Sequence, residues 1–260
     1  MKPERLLFLL SILWLAGCAA GKPKLPYPAF VDVGELPNAF IANLPGVRAK
    51  RLAGDAQTRQ FSSRVLIPPD WEFSTGASPG QSVEIFVLSG QLTVGEFSLG
   101  PGGYFFVPPG YPGIRLASDG GADILYFVDN ADASAVIGTP LLSDAELIDW
   151  LPLTPGYWEK ELRADPGSGM RTWLLRVDPG ATTPWQDSSN TLEGYLVSGR
   201  MTASECVAGT PVTADYAPGG YFMRPPGAVH GGPEERTDSG AVWFLRVPGP
   251  AKTEIRAACN

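Results

Sequence analysis

Apolar and polar residues alternate in short runs along this chain, and Gly and Pro punctuate the runs. The first recurring run, Ala49 to Asp55, reads as a strand that ends in a turn. Arg64 to Ile67 predicts a second strand, Val83 to Gly90 a third, and Ala122 to Val128 a later one. The same series then returns in the same order, as Glu159 to Asp165, Trp173 to Val177, Leu192 to Gly199 and Ala241 to Val247. Before the last strand of each series stands one identical word, Pro101-Gly102-Gly103-Tyr104-Phe105 and then Pro218-Gly219-Gly220-Tyr221-Phe222. Pro-Pro-Gly follows closely in both places, at Pro108-Pro109-Gly110 and Pro225-Pro226-Gly227. Order is kept and length changes fall at turns, as a duplicated module requires. The second copy is longer between Gly199 and Pro218, which predicts an extended hairpin around Glu205 to Asp215. Between the copies, Ser143-Asp144-Ala145-Glu146 reads as a capping box and predicts a short helix through Trp150. The pattern as a whole predicts an all-β fold, with each copy a small barrel or sandwich.

Composition narrows this without changing it. Gly (31) and Pro (26) are abundant, which suits many short strands joined by turns. At 44% apolar, the chain has ample material for a packed core. A net charge of −7 and the lack of any basic run exclude a nucleic-acid partner. The single histidine, His230, excludes a site built from several imidazoles. No Gly-rich phosphate loop, His-Glu zinc helix or Gly-x-Ser-x-Gly elbow is present.

The first residues read as a targeting segment. Lys2 and Arg5 precede the apolar run Leu6 to Leu15, which is too short for an ordinary membrane span. It ends in Leu15-Ala16-Gly17-Cys18, which resembles the lipobox of bacterial lipoproteins. The resemblance implies cleavage before Cys18, acylation of Cys18 and anchorage in the lipid bilayer of the cell envelope, since each buried methylene adds about 0.8 kcal/mol. Ala19 after the cysteine implies, by the rule of that family, the outer membrane facing the periplasm in a cell that has one. The expected organisation is a signal peptide over 1–17, a tether and lead-in over 18–45, an N-terminal barrel over 46–130, and a connector over 131–155. A C-terminal barrel over 156–250 and a tail over 251–260 complete it.

Gly219, Pro225, Gly227 and His230 resemble the later motif of the cupin superfamily, in which Gly, Pro, Gly and His stand at these spacings. Gly102, Pro108 and Gly110 repeat it in the first half, with Gly113 where His belongs. The resemblance spans both halves and is similar to bicupins related to the ChrR cupin domain. It implies two double-stranded β-helix, or jelly-roll, barrels from one duplication, and pairing of chains into a homodimer as many cupins do. The earlier motif of the family supplies two His and a Glu, and here the chain departs from it. Those positions hold Gln186, Ser188 and Leu192 in the second half, and Ala77, Pro79 and Val83 in the first. Glu193 and Glu84 each sit one residue from the ligand position, and one residue along a strand turns a side chain to the opposite face. Such glutamates suit a structural task, such as pairing with Arg.

Candidate sites follow. His230 is a ligand-binding residue of a C-terminal pocket and, as a lone acid or base, would titrate near neutrality. Trp185, Tyr195, Tyr221 and Trp243 are candidates to line that pocket around a small organic ligand. The leading expectation is a metal-free or weakly metal-binding envelope protein that binds a small molecule or serves a structural role. The alternative is a metal-dependent cupin enzyme holding Mn, Fe or Zn through His230, Glu193 and Asp187, although a divalent ion wants at least three well-placed ligands. Cys206 and Cys259, the two thiols besides Cys18, form an even pair and are expected to bridge in an exported protein.

Overall fold

The structure is a computed structural model, and it describes residues 25–131 and 138–260. Strands account for nearly all of its regular structure, and every strand pairing is antiparallel. The N-terminal barrel folds one large sheet against a smaller one. The large sheet runs in the order Leu141–Asp144, Gly103–Val107, Gln81–Gly90, Ala122–Asn130, Phe61–Ile67, Arg48–Gly54, Asn38–Ala39. The smaller one is Trp71–Thr75, Ile114–Ser118, Leu92–Val94, Phe97–Leu99. The C-terminal barrel repeats the plan. Its large sheet is Val31–Asp32, Gly220–Arg224, Leu192–Gly199, Ala241–Val247, Arg171–Val177, Tyr157–Ala164, Leu151–Thr154. Its smaller sheet has the expected longer hairpin, Met201–Val207 with Thr210–Tyr216, then His230–Gly232, Thr183–Ser188 and the tail strand Thr253–Arg256.

The outermost strand of each large sheet comes from the lead-in of the other copy. Val31–Asp32 pairs with Gly220–Arg224 of the C-terminal barrel, and Leu141–Asp144 pairs with Gly103–Val107 of the N-terminal one. The two exchanges match in detail. Val33 N–H donates to the Gly219 carbonyl and Ala145 N–H to the Gly102 carbonyl, both in the repeated Pro-Gly-Gly word. Lys50 Nζ reaches the Leu36 carbonyl, and Lys160 Nζ reaches the Ala145 carbonyl at 2.6 Å. Within the lead-in, Leu25, Ala29 and Phe30 pack on the C-terminal barrel. The helix expected from Ser143 to Trp150 is a single 3-10 turn, Ala145–Leu147, capped by Asp144 rather than Ser143. Its neighbours on both sides are extended, because each pairs with a waiting sheet edge.

Three apolar cores result. Alternate residues of each strand point inward, and those between them point to the face where the large sheets of the two barrels meet. The N-terminal interior holds a buried apolar cluster that includes Ile41, Leu44, Val65, Trp71, Ile85 and Leu116. Ala77 and Val83, at two of its ligand-equivalent positions, belong to that packing. The inter-barrel core joins Phe86, Tyr104, Phe127, Tyr195, Tyr221 and Phe244. Phe127 stacks on Phe244 with centroids 5.4 Å apart, and Phe86 tilts against the same ring at 4.9 Å. The third core lines the C-terminal barrel, where Trp243, Phe222, Met201 and Tyr216 pack together. Gly194 is required there: a Cβ on it would lie 2.3 Å from the Phe222 ring.

Candidate functional site in the C-terminal barrel

A cavity of about 490 Å³ occupies the C-terminal barrel, in the range usual for small-molecule sites. Tyr157, Trp173, Met201, Phe222 and Trp243 form apolar walls, and Thr253 and Ile255 of the tail strand contribute a further side. The four positions that the cupin motif assigns to metal ligands all face it, carrying Gln186, Ser188, Leu192 and His230. Gln186 and His230 are direct register partners on adjacent strands.

The charged groups at this cavity come from inward positions of the strands. Arg224 ends the strand Gly220–Arg224, one residue before Pro-Pro-Gly. It is 6% exposed, and its guanidinium lies 3.8 Å from the centroid of the Phe222 ring. Its Nε and Nη2 both donate to Glu205 Oε1, at 2.9 and 2.8 Å. Glu205 lies in the extended hairpin opposite His230 and is wholly buried. Tyr27, from the lead-in, donates its hydroxyl to Glu205 Oε2 at 2.9 Å. Burial, followed by the Glu205 charge, raises the Tyr27 phenol above its usual range.

Two further groups carry no counter-charge. Glu235 is 7% exposed, and no salt bridge involving it is found among the described residues. Burial pushes its carboxyl up to about 7, while Arg224 and a backbone N–H from Ser204 pull it down and Glu205 pushes it up. His230 is 5% exposed, so it sits deep in the barrel rather than at the mouth. Burial first, and Arg224 second, hold its imidazole well below the ordinary range. It is therefore neutral at pH 7, not poised there as the sequence suggested. Its Nδ1 lies 3.1 Å from the Ala228 carbonyl, which can only accept. The proton is thus on Nδ1, and Nε2 keeps a free lone pair in a residue that lines the cavity.

The other residues named from the sequence separate. Trp243 lines the cavity. Tyr195 and Tyr221 do not, because they occupy the outward alternate positions and lie in the inter-barrel core. Trp185 is buried but outside the cavity, its ring pressed against Gly232, where a Cβ would approach to 2.2 Å. Glu193 also faces the other barrel. Its Oε1 accepts from the Tyr221 hydroxyl at 2.6 Å and its Oε2 from Arg246 Nη1 at 3.1 Å. Glu84 is its counterpart, 1% exposed, accepting from Thr172 Oγ1 at 2.8 Å beside Arg163 and Arg246. Asp129 completes this network on Arg246, whose charged form the three acids strengthen against its burial. Asp187 Oδ2 accepts from Arg256 Nε and Nη2 at 3.0 and 2.6 Å. The trio His230, Glu193 and Asp187 is therefore not assembled, and no cluster of three metal-binding side chains occurs among the described residues. The donor chemistry does not fit a transition ion either. Three of the four ligand positions hold an amide, a hydroxyl and an isobutyl group, and a guanidinium stands beside the fourth. Cys206 and Cys259 are bridged, which ties the tail to the hairpin strand that carries Glu205. Cys18 lies outside the described residues.

Sequence reasoning missed Arg224, Glu205, Glu235 and Tyr27. A signal for the first was present: Arg224 replaces Val107 at the matching position before Pro-Pro-Gly, an inward strand position that is apolar in the first copy.

Comparison with known proteins agrees with this geometry. The family model of the ChrR cupin-like domain matches residues 139–247. No curated protein matches the chain in sequence. Among solved structures, a candidate dioxygenase from Nostoc punctiforme superposes with a TM-score of 0.67 at 22% identity, covering 86% of this chain and 83% of that one. Protein YlbA from E. coli gives 0.67 at 14% identity, covering 84% and 89%. Oxalate decarboxylase from Bacillus subtilis gives 0.64 at 14% identity, covering 90% and 81%. Residues 139–247 thus form a ChrR cupin-like domain, and the repeat and these likenesses show that the chain as a whole has the fold of two tandem jelly-roll barrels.

Proposed function

We propose that this bicupin binds a small organic molecule in its C-terminal barrel without a transition metal, and that it does so at the cell envelope, anchored through acylated Cys18. The observation that carries the binding reading is the contrast between the two copies. In the N-terminal barrel the ligand-equivalent residues Ala77 and Val83 belong to a buried apolar cluster, whereas in the C-terminal one the four equivalent positions line a cavity of about 490 Å³ with buried polar groups facing it. Burying an ion pair, a carboxyl and an imidazole is costly unless each is satisfied. A barrel that needed only stability would have packed as the first one did. The solved relatives include an oxalate decarboxylase and a candidate dioxygenase, which motivates the rival reading of a metal enzyme. The donor set argues against that rival, because Gln186, Ser188 and Leu192 replace the usual ligands.

Anchoring is supported by the Leu15-Ala16-Gly17-Cys18 sequence and by the bridge between Cys206 and Cys259, which suits an oxidising compartment. Elemental analysis of purified protein, run beside a thermal-shift screen of small organic compounds, tests the function. The expected result is a sub-stoichiometric content of Mn, Fe and Zn together with stabilisation by a defined compound class. Stoichiometric metal that is lost in His230→Ala would replace this reading with the enzymatic one.

A further inference from the structure

The ions around the cavity leave one charge over. Arg224 is matched by Glu205, Asp187 by Arg256 and Arg171 by Glu159. Glu235, more than nine-tenths buried, has no such match among the described residues. The geometry points to a small organic cation as the ligand, an ammonium group on an apolar or aromatic body, with Glu235 as its counter-ion; this rests on the reading of the cavity as a ligand site.

The fit is chemical on three counts. First, an ammonium has donors only, and the cavity offers it the Glu235 carboxylate, an acceptor with no salt-bridge partner among the described residues. Second, the walls are aromatic. Tyr157 and Trp243 line the cavity with rings that favour a desolvated cation, while the Trp173 ring already carries the Arg171 guanidinium 4.7 Å from its centroid. Third, the alternatives meet obstacles. A carboxylate ligand would seek Arg224, but Glu205 already fills that fork and Phe222 covers one face of it. It would also add an anion near Glu235. Arg224 disfavours positive charge beside His230, and its pairing with Glu205 at 2.8 Å reduces that repulsion, so the ammonium is assigned to Glu235.

Binding of a cation favours ionised Glu235, so binding releases the proton that the empty cavity holds. The groups facing Glu235 are Arg224, Glu205, Tyr157 and Tyr216, with His230 on the same cavity. Of these, the arginine and the tyrosines are held outside the neutral range in their ordinary charge states, and His230 stays uncharged. Affinity therefore rises about tenfold from about pH 6 to about pH 8 as Glu235 ionises near 7.

Calorimetric titration of the full chain in detergent with benzylamine, benzyl alcohol and benzoate separates the classes, because the three share one ring and differ in charge. The amine is expected to bind most tightly, with the pH slope above. Glu235→Gln is expected to remove both the preference and the slope. The slope is read on unmodified protein, so a misfolded variant does not decide the matter. Tighter binding of the alcohol or of benzoate, or an amine affinity that is flat with pH, overturns the ammonium assignment and leaves the cavity reading standing. If no compound of any class, these three included, produces heat or a thermal shift, both fail.

Discussion

The folded protein should be held back by its own Glu235 at neutral and alkaline pH, and Glu235→Gln should relieve it. An ordinary carboxyl in the unfolded chain titrates near 4.5, while in the folded barrel Glu235 titrates at about 7. The folded state therefore keeps a proton that the unfolded state has released. Stability contributed by this group falls as pH rises from about 4.5 to about 7, and the full cost stands above that. Each tenfold in proton affinity is worth about 1.4 kcal/mol, so the cost approaches about 3 kcal/mol. Glutamine keeps the shape and never ionises. His230 works in the opposite sense, because its depressed pKa costs stability as pH falls below 6.5. The two offset each other in the wild type, and only the difference between wild type and variant isolates Glu235. Urea denaturation followed by tryptophan fluorescence, at about pH 5 and about pH 8, should show the variant gaining about 2–3 kcal/mol on the wild type over that interval. Parallel behaviour of the two proteins over that interval would refute the placement of a protonated carboxyl in this cavity.

Other outcomes follow from the same contacts. Arg246→Ala should destabilise the protein by about 3–5 kcal/mol, since it leaves Glu84, Glu193 and Asp129 buried without their shared cation; a loss under about 1 kcal/mol in denaturant titration would contradict the network. Paired replacement Cys206→Ser with Cys259→Ser opens a loop of sequence separation 53 and should cost about 4 kcal/mol by loop entropy. Its readout is the urea midpoint compared with that of the oxidised parent. Cys18→Ser should abolish incorporation of radiolabelled palmitate and release the protein into the soluble fraction, and retention of label in the variant would exclude Cys18 as the anchor.

The sequence alone was enough for the duplication, the all-β class and the departure from the metal-binding motif. Each of these depends on local pattern or on spacing within one copy. The period of two even indicated that Glu84 and Glu193 turn away from the barrel interior, where Val83 and Leu192 point. What the alternation could not say is what waits on the outer side. Tyr195 and Tyr221 looked like pocket residues because nothing in a strand's own pattern distinguishes a buried outer face from a buried inner one. Docking of the second barrel decided it. The capping signal at Ser143 was overridden in the same way, since an unpaired sheet edge at Gly103–Val107 offers backbone hydrogen bonds that a short helix cannot match.

The candidate site depended most on tertiary structure. Tyr27 and Glu205 are 178 residues apart, yet their hydrogen bond helps set the charge around Arg224. The Glu235 and His230 titration shifts arise from burial first, a property of the assembled barrel rather than of any residue's neighbours in the chain. Spacing could count which metal ligands were missing. Only the folded barrel, by excluding water from a few particular side chains, could show which polar groups stand in their place.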